Sequence, residues 1–281
     1  MVKIISHTGC DIPLVEAQQL NIPIIPDIVY VNSSTFKNLY EISPESLYNY
    51  MLFEGDLPTS SHPSVGDFCD FFKEKSTNFD EILFLSVTSK MSGTFEAACT
   101  AKKLLEDEGF KTPIYIYDTL QCSHAMAMMV RKAYELASRG YGCEEIIKEL
   151  DDYRNHIAMY FILDSLKYPK AGGRIGAIKA LAADLMKIKP LLSFENGLVK
   201  DFAVASNYDD GFAKLIERFG KEADMTKQVI IFHQASLDTA KLLMDELIKT
   251  YGDLNIRIDI TGPVIGAYSG PGGAGLAFEK K

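Results

Sequence analysis

Hydroxyl-bearing side chains gather where a strand is due to end or a helix to begin. One group is Pro58-Thr59-Ser60-Ser61-His62-Pro63-Ser64, and another is Ser86-Val87-Thr88-Ser89-Lys90-Met91-Ser92-Gly93-Thr94. Hydroxyls beside the free backbone N–H groups of a helix start form a cradle for an anion. The same residues also serve as caps: Ser64 with Asp67 three residues on spells a capping box, and Ser92 is placed to cap the helix that follows. Sequence alone leaves both uses open. A third segment, Gly262 to Gly275, contains Gly270, Gly272 and Gly275 in G-x-G-x-x-G spacing, but only six residues follow, too few to open the helix of a dinucleotide site. It reads either as a glycine-rich bend between two final strands or as backbone that closely approaches a ligand.

Other chemistries find little support. There is no G-x-S-x-G nucleophile elbow, since Ser92 in Lys90-Met91-Ser92-Gly93 lacks the leading glycine, and no G-x-x-x-x-G-K-[ST] phosphate loop. The five cysteines are odd in number and form no C-x-x-C pair, and the five histidines form no H-E-x-x-H, so neither a disulfide framework nor a metal site is expected, and no cofactor. Hydroxyls and glycines without an evident base or metal favour binding over catalysis. Arg174, in Lys170-Ala171-Gly172-Gly173-Arg174-Ile175, stands at a predicted helix start, where its charge opposes the macrodipole. Such an arginine is either functional or paired, and Asp164 is a carboxylate at hand for pairing. The run Ala125-Met126-Ala127-Met128-Met129-Val130 reads as core, although flexible methionines also suit an apolar pocket.

Apolar β-rich runs alternate with helix-period stretches, which predicts an α/β protein with mainly parallel strands. Strands are expected at Val2–Ser6, Ile22–Ile25, Ile82–Val87, Ile114–Tyr117 and Ala158–Leu163. Helices are expected at Leu14–Leu20, Pro44–Phe53, Ser64–Lys75, Thr94–Glu108, Ser123–Arg139 and Glu144–Asn155. With 281 residues, nearly twice the ~150 of a typical domain, two domains are expected, 1–164 and 165–281, the crossover beginning in the Pro- and Gly-bearing Asp164–Gly173. The second domain should hold a helix near Ile175–Met186 and strands Ile188–Phe194 and Leu198–Ala205. Asn196-Gly197 between those strands signals an antiparallel hairpin. Then follow helix Asp210–Glu222, strand Gln228–His233, helix Ser236–Thr250, strand Asn255–Ile260 and a strand pair within Gly262–Phe278. The 47% hydrophobic and 24% charged residues suit a globular chain with a sizeable core. A net charge of −9 without basic runs argues against nucleic acid and anionic membranes as partners. No apolar stretch approaches the ~20 residues of a membrane span, and the opening MVKIIS enters a strand directly, so a cytoplasmic protein without stable membrane insertion is expected.

Taken together and in order, five segments resemble the DegV family of bacterial fatty acid-binding proteins over essentially the whole chain. They are Leu57–Ser64, Met91–Ala98, Asp164-Ser165-Leu166 with Gly172–Ile175, Lys189-Pro190-Leu191-Leu192 and Gly262–Gly266. The resemblance implies a DegV-like fold: a parallel-sheet N-terminal domain carrying the head-group loops, and a mixed α/β C-terminal domain closing a lipid tunnel. It implies a long-chain fatty acid in that tunnel, its carboxylate gripped by hydroxyls and presented to a separate ATP-binding fatty acid kinase subunit. Ser60 and Ser61 fall on the Thr-Ser pair of the family's P-T-T-S-Q-P motif, Ser92 on the serine of S-G-T, and Arg174 on the arginine of G-G-R. This chain departs from the pattern where His7-Thr8-Gly9 replaces Asp-Ser-Thr, where His62 replaces glutamine, and where Gly266-Ala267-Tyr268-Ser269-Gly270-Pro271-Gly272 replaces Gly-Thr-His-Thr-Gly-Pro-Gly.

The expected ligand-binding set is therefore Ser60, Ser61, His62, Ser92, Thr94, Arg174, Tyr268 and Ser269. Two alternatives stand beside the non-catalytic carrier. One is a module for another amphipathic lipid whose head uses Tyr268 and His62. The other is a hydrolase or acyl transferase in which His7 or His62 serves Ser92 as general base.

Overall fold

A computed structural model describes residues 1–174 and 188–281. The helix expected near Ile175–Met186 lies outside the described residues. The chain opens with β1 (Val2–His7), α1 (Leu14–Gln19), β2 (Ile24–Ile25), β3 (Ile28–Val31), β4 (Ser34–Lys37), α2 (Pro44–Asn49) and β5 (Thr59–Ser61). Next come α3 (Val65–Lys75), β6 (Glu81–Ser86), α4 (Thr94–Asp107), β7 (Ile114–Asp118), α5 (Ser123–Ser138), α6 (Cys143–Tyr153), β8 (Ile157–Ile162) and α7 (Lys167–Ala171). Beyond the undescribed residues lie β9 (Lys189–Glu195), β10 (Leu198–Ala205), α8 (Tyr208–Glu222), β11 (Val229–His233), α9 (Leu237–Tyr251), β12 (Ile256–Ile260), α10 (Pro263–Ser269) and β13 (Ala274–Glu279).

These strands form a parallel sheet in the order β2-β1-β6-β7, a mixed sheet in the order β10-β9-β8-β13-β11-β12, and a small antiparallel sheet, β4-β3-β5. The parallel strands are apolar on both faces because both are covered. In β6, Ile82 and Phe84 meet Phe68 and Phe72 of α3 and Ala98 and Ala101 of α4, while Leu83 and Leu85 turn to α5. Helix α5 is buried from Ser123 to Val130 without a break. It has no polar face there because it lies between the two large sheets, touching Ile4 and Leu85 on one side and Met159, Phe161 and Phe232 on the other. Its methionines are core. The far face of the mixed sheet is covered by α8 and α9.

The Asn196-Gly197 hairpin forms as expected, both residues having positive φ (50° and 80°). Its tip reaches the first sheet: the Thr88 hydroxyl donates to the Gly197 carbonyl at 3.0 Å, and Lys90 Nζ donates to that of Asn196 at 2.8 Å. Three expectations are corrected. The strand at Ala158–Leu163, grouped by position with the first block, pairs with β9 and β13 in the mixed sheet. In Gly262–Phe278 a single strand forms, because Pro263 starts α10 and Gly270, at φ 76°, ends it. The stretches Ile28–Lys37 and Thr59–Ser61, in which no strand is expected, form the small sheet.

Candidate functional site

A cavity of about 180 Å³ opens where β1 and β6 end, the edge at which open α/β sheets place ligands. One wall is apolar: Met159, Phe161 and Leu163 at β8, Leu192 and Phe194 from β9, Phe232 from β11, and Val264 and Ile265 from α10. Ser60, Ser61, His62, Ser92, Arg174, Tyr268 and Ser269 line it as well, so seven of the eight residues expected from sequence meet at one cavity. The eighth, Thr94, is fully buried behind Ser92, and its Oγ1 lies 2.8 Å from Ser92 Oγ.

Hydroxyls here pair with one another. Ser60 Oγ lies 3.0 Å from the Tyr268 hydroxyl, which also accepts the Ser60 N–H at 3.2 Å. Ser61 Oγ lies 3.1 Å from the Tyr30 hydroxyl. A hydroxyl pair contains two O–H groups and uses one, so each of the three pairs keeps a donor to spare. Ser64 is the cap the sequence predicts, in a full capping box with Asp67. Ser92 is not the N-cap of α4, a position Gly93 holds; its Oγ accepts the Thr94 N–H at 3.3 Å.

Arg174 does not pair with Asp164. Its guanidinium lies 4.8 Å from the centre of the Tyr268 ring and donates to the Gly172 carbonyl, while Asp164 accepts from Lys189 Nζ at 2.5 Å and from the Tyr208 hydroxyl at 3.1 Å. Planar guanidinium over an aromatic face is a favourable arrangement that leaves N–H groups at its rim for an anion. His62 Nδ1 sits 2.8 Å from the Pro63 carbonyl and must donate to it, which leaves Nε2 toward Gly93. A Cβ on residue 93 would stand 2.9 Å from that nitrogen, so glycine there lets the imidazole lie close against the backbone.

Deeper in, the cluster of His7, Thr8 and Asp27 is closed on itself. His7 Nε2 accepts the Val87 N–H at 3.0 Å, which puts the imidazole proton on Nδ1, 2.8 Å from Asp27 Oδ2. The Thr8 hydroxyl donates to the same oxygen at 2.7 Å and accepts the Asp27 N–H at 2.9 Å. Both nitrogens of His7 are therefore committed, and among the described residues no histidine hydrogen-bonds Ser92. Sequence reasoning missed the buried pair Asp11 and Ser123. Ser123 donates to Asp11 Oδ2 at 2.6 Å, and the Gly262 N–H donates to Oδ1 at 3.1 Å. Burial drives the Asp11 carboxyl up to about 7 against those two hydrogen bonds, and nearby Asp259 and Asp27 raise it further. Burial likewise lowers His124 to about 3, keeping its ring neutral against Phe232. No local pattern marks such residues, because one buried polar group in an apolar run gives no periodicity. Among the described residues no cluster of His, Cys, Asp and Glu is arranged for a metal ion, and no helix is long and apolar enough to cross a membrane.

Fold and cavity together define an α/β protein with two large sheets and a cavity lined by apolar side chains and by hydroxyls. The chain belongs to the DegV family, whose model, described as "Uncharacterised protein, DegV family", matches residues 1–281. It is 29% identical over 265 residues to a DegV domain-containing protein of Halalkalibacterium halodurans, covering 93% of this chain and 92% of that one. A DegV family protein from Thermus thermophilus, described for its fatty acid binding, superposes with a TM-score of 0.89 at 25% identity, covering 99% of both chains. The Streptococcus pneumoniae fatty acid kinase (Fak) B3 protein, loaded with linoleic acid, shares the fold with a TM-score of 0.84 at 20% identity over the full length of both chains.

Proposed function

We propose that this protein binds a long-chain fatty acid in the cavity between its two large sheets and presents the carboxylate to a separate ATP-binding kinase subunit, without itself catalysing a reaction. The observation that carries the reading is the mixed lining of the cavity: aliphatic and aromatic side chains from β8, β9, β11 and α10 beside Ser60, Ser61 and Ser92, each in a hydroxyl pair, and Arg174 over the Tyr268 ring. Sheathing a sixteen-carbon chain contributes on the order of 12 kcal/mol gross at ~0.8 kcal/mol per CH₂, before the costs of association and ordering. A carboxylate taken from water needs donors, and Ser60, Ser61 and Ser92 have O–H groups to give, while Arg174 and Tyr268 lie at the rim. In this reading His62 and Ser269 complete the lining of the head end, and Thr94 holds Ser92 in place. In this reading the first part of the chain carries the hydroxyl loops and, through β8, Met159, Phe161 and Leu163 of the apolar wall, which Leu192, Phe194, Phe232, Val264 and Ile265 complete. The fatty acid binding described for the Thermus protein supports the ligand class, and the kinase-associated pneumococcal protein of the same fold supports the kind of partner.

The test is mass spectrometry of an organic extract of the purified protein, beside a native spectrum, followed by transfer of phosphate to the bound acid by an acyl-binding kinase subunit with ATP. A stoichiometric C14 to C18 acid that is phosphorylated is the expected result. A different amphiphile in the extract would keep the chamber and replace the ligand. An empty protein that also refuses added palmitate would overturn the reading.

A further inference from the structure

The small sheet β4-β3-β5 buries one face and bares the other. Val29 and Val31 of β3 are packed with Leu47, Tyr48 and Met51. On the opposite face Tyr30 stands beside its cross-strand partners Thr35 and Thr59, and all three are exposed. Beyond α2 the chain makes one wide helical turn, Tyr50–Glu54, which commits Met51 to the core and leaves Leu52 and Phe53 outside. Asn32 Nδ2, at the tip of the β3–β4 hairpin, donates to Glu54 at 3.0 Å and fixes this turn beside the sheet. Phe53 is 83% exposed, more than any other large apolar side chain among the described residues, with Leu52 at 55% and Leu57 at 48%. Large apolar side chains grouped in water mark a surface that a partner covers. This one adjoins the cavity: the Tyr30 hydroxyl lies 3.1 Å from Ser61 Oγ, Ser61 lines the cavity, and Leu57 comes only three residues before Ser60.

We propose that Tyr30, Leu52, Phe53 and Leu57 form the docking surface for the ATP-binding kinase subunit, with Phe53 entering an apolar pocket ringed by basic side chains on that partner. Position and charge choose this occupant. A partner that moves the γ-phosphoryl group of ATP onto the carboxylate, releasing ADP, must cover the protein next to the head-group hydroxyls, and this surface begins there, at Tyr30 and Ser61. Between Ile28 and Ser61 the chain carries four carboxylates, Glu41, Glu45, Glu54 and Asp56, against one base, Lys37. Such a rim repels an anionic membrane, and it repels a second copy of a chain whose net charge is −9. It attracts a protein that is electropositive where it holds a triphosphate. An aromatic anchor surrounded by polar and charged side chains is also the usual make-up of a protein interface. The inference rests on the kinase reading above and names the surface through which that partner is recognised.

The experiment loads the full chain with palmitate and measures acyl-phosphate formation by the ATP-binding fatty acid kinase subunit of its own source cell, as a function of loaded-protein concentration, at low and high salt. In Phe53→Ser the KM for the loaded protein should rise at least tenfold, the loss of one aromatic anchor, with kcat, palmitate affinity and the urea midpoint unchanged. Glu54→Gln, whose amide oxygen still accepts from Asn32, should raise KM about threefold at low salt and not at high salt. If Phe53→Ser lowers the urea midpoint, Leu52→Ser carries the same comparison. An unchanged KM in the serine variant overturns this inference and leaves the fatty acid and kinase readings intact. A palmitate-loaded unmodified protein that the kinase subunit does not phosphorylate overturns the kinase reading and this inference together. A dimer of the unmodified protein that Phe53→Ser dissolves, or binding to phosphatidylglycerol vesicles that the variant loses, gives the surface to a second copy or to a membrane and overturns the proposal.

Discussion

Two polar clusters line the same cavity and differ in how their protons are spent. Around His7, Thr8 and Asp27 each donor faces an acceptor of matching charge: the Asp27 carboxylate takes the protons of an imidazole and a hydroxyl, and the remaining imidazole nitrogen takes a backbone N–H. Around Ser60, Ser61 and Ser92 hydroxyls face hydroxyls, which leaves an O–H over in each pair. The first arrangement is finished without a ligand and serves the fold. The second gains when an anion arrives, because the spare O–H groups then acquire a charged acceptor. Proximity to a cavity therefore does not by itself separate a residue whose hydrogen bonds are complete from one with a proton still to give.

The largest effect that separates the two clusters is a pH dependence on the closed side, which Asp11 extends beneath the cavity. Its folded-state value of about 7 lies well above the ~3.9 of an unfolded aspartate, so between those values the folded chain holds a proton that the unfolded chain has released. Below about pH 4 both states are protonated and the contribution is fully present. It is lost as pH rises toward 7, by on the order of 4 kcal/mol at ~1.4 kcal/mol per unit. Urea unfolding midpoints should fall across this range, and Asp11→Asn should flatten the slope. An unchanged slope in the variant would assign the titration to other groups.

Next in size is the removal of Asp27. The substitution Asp27→Ala leaves the His7 Nδ1–H and the Thr8 hydroxyl buried without their acceptor, which should cost about 3 kcal/mol in urea unfolding. Ser92→Ala should behave in the opposite way. Ser92 holds only Thr94, so stability should change by less than about 1 kcal/mol, while affinity for palmitate falls about tenfold with the loss of one donor to a carboxylate. The comparison breaks if Ser92→Ala unfolds the protein as readily as Asp27→Ala, or if palmitate binds the Ser92 variant as before.

How much of this was legible in sequence follows from where each signal is local. Strand β6 reads plainly because Ile82–Leu85 is a continuously apolar run buried on both faces, and β1 and β7 read from their isoleucine- and tyrosine-rich runs. The β9–β10 hairpin reads from Asn196-Gly197, two residues suited to positive φ. The β3–β4 hairpin turns at Asn32-Ser33 with positive φ at both positions, but serine is not a residue that announces this, and β4 is too exposed to alternate. Helix α10 is hidden by Gly266 within it and by Gly262 and Gly270 at its ends. Gly266 is there because a Cβ would come within 2.7 Å of the Tyr48 hydroxyl, a tertiary cause that no window of sequence contains. The cavity shows the same division: the seven residues singled out from sequence that line it sit in short segments the sequence marks, whereas Asp11 and Ser123 are single polar residues whose pairing arises only when the end of β1, the start of α5 and Gly262 come together.

The smallest predicted effect concerns Tyr268, which stands where the family pattern has histidine and belongs by geometry to the open cluster. Its hydroxyl accepts the Ser60 N–H and shares a proton with Ser60 Oγ, so it engages the groups a carboxylate would use. Tyr268→Phe removes one donor and simultaneously frees two, the Ser60 N–H and the Ser60 hydroxyl. The ring stays, and with it the face on which Arg174 rests. These changes oppose one another, and palmitate affinity should move by less than about threefold, within the range of one ordinary hydrogen bond. Tyr268→Ala should cost more, because the guanidinium loses its support as well. A loss in Tyr268→Phe as large as that in Ser92→Ala would make the phenol itself a principal donor to the carboxylate, and the pairing with Ser60 would then be the resting state of a group that turns toward the ligand.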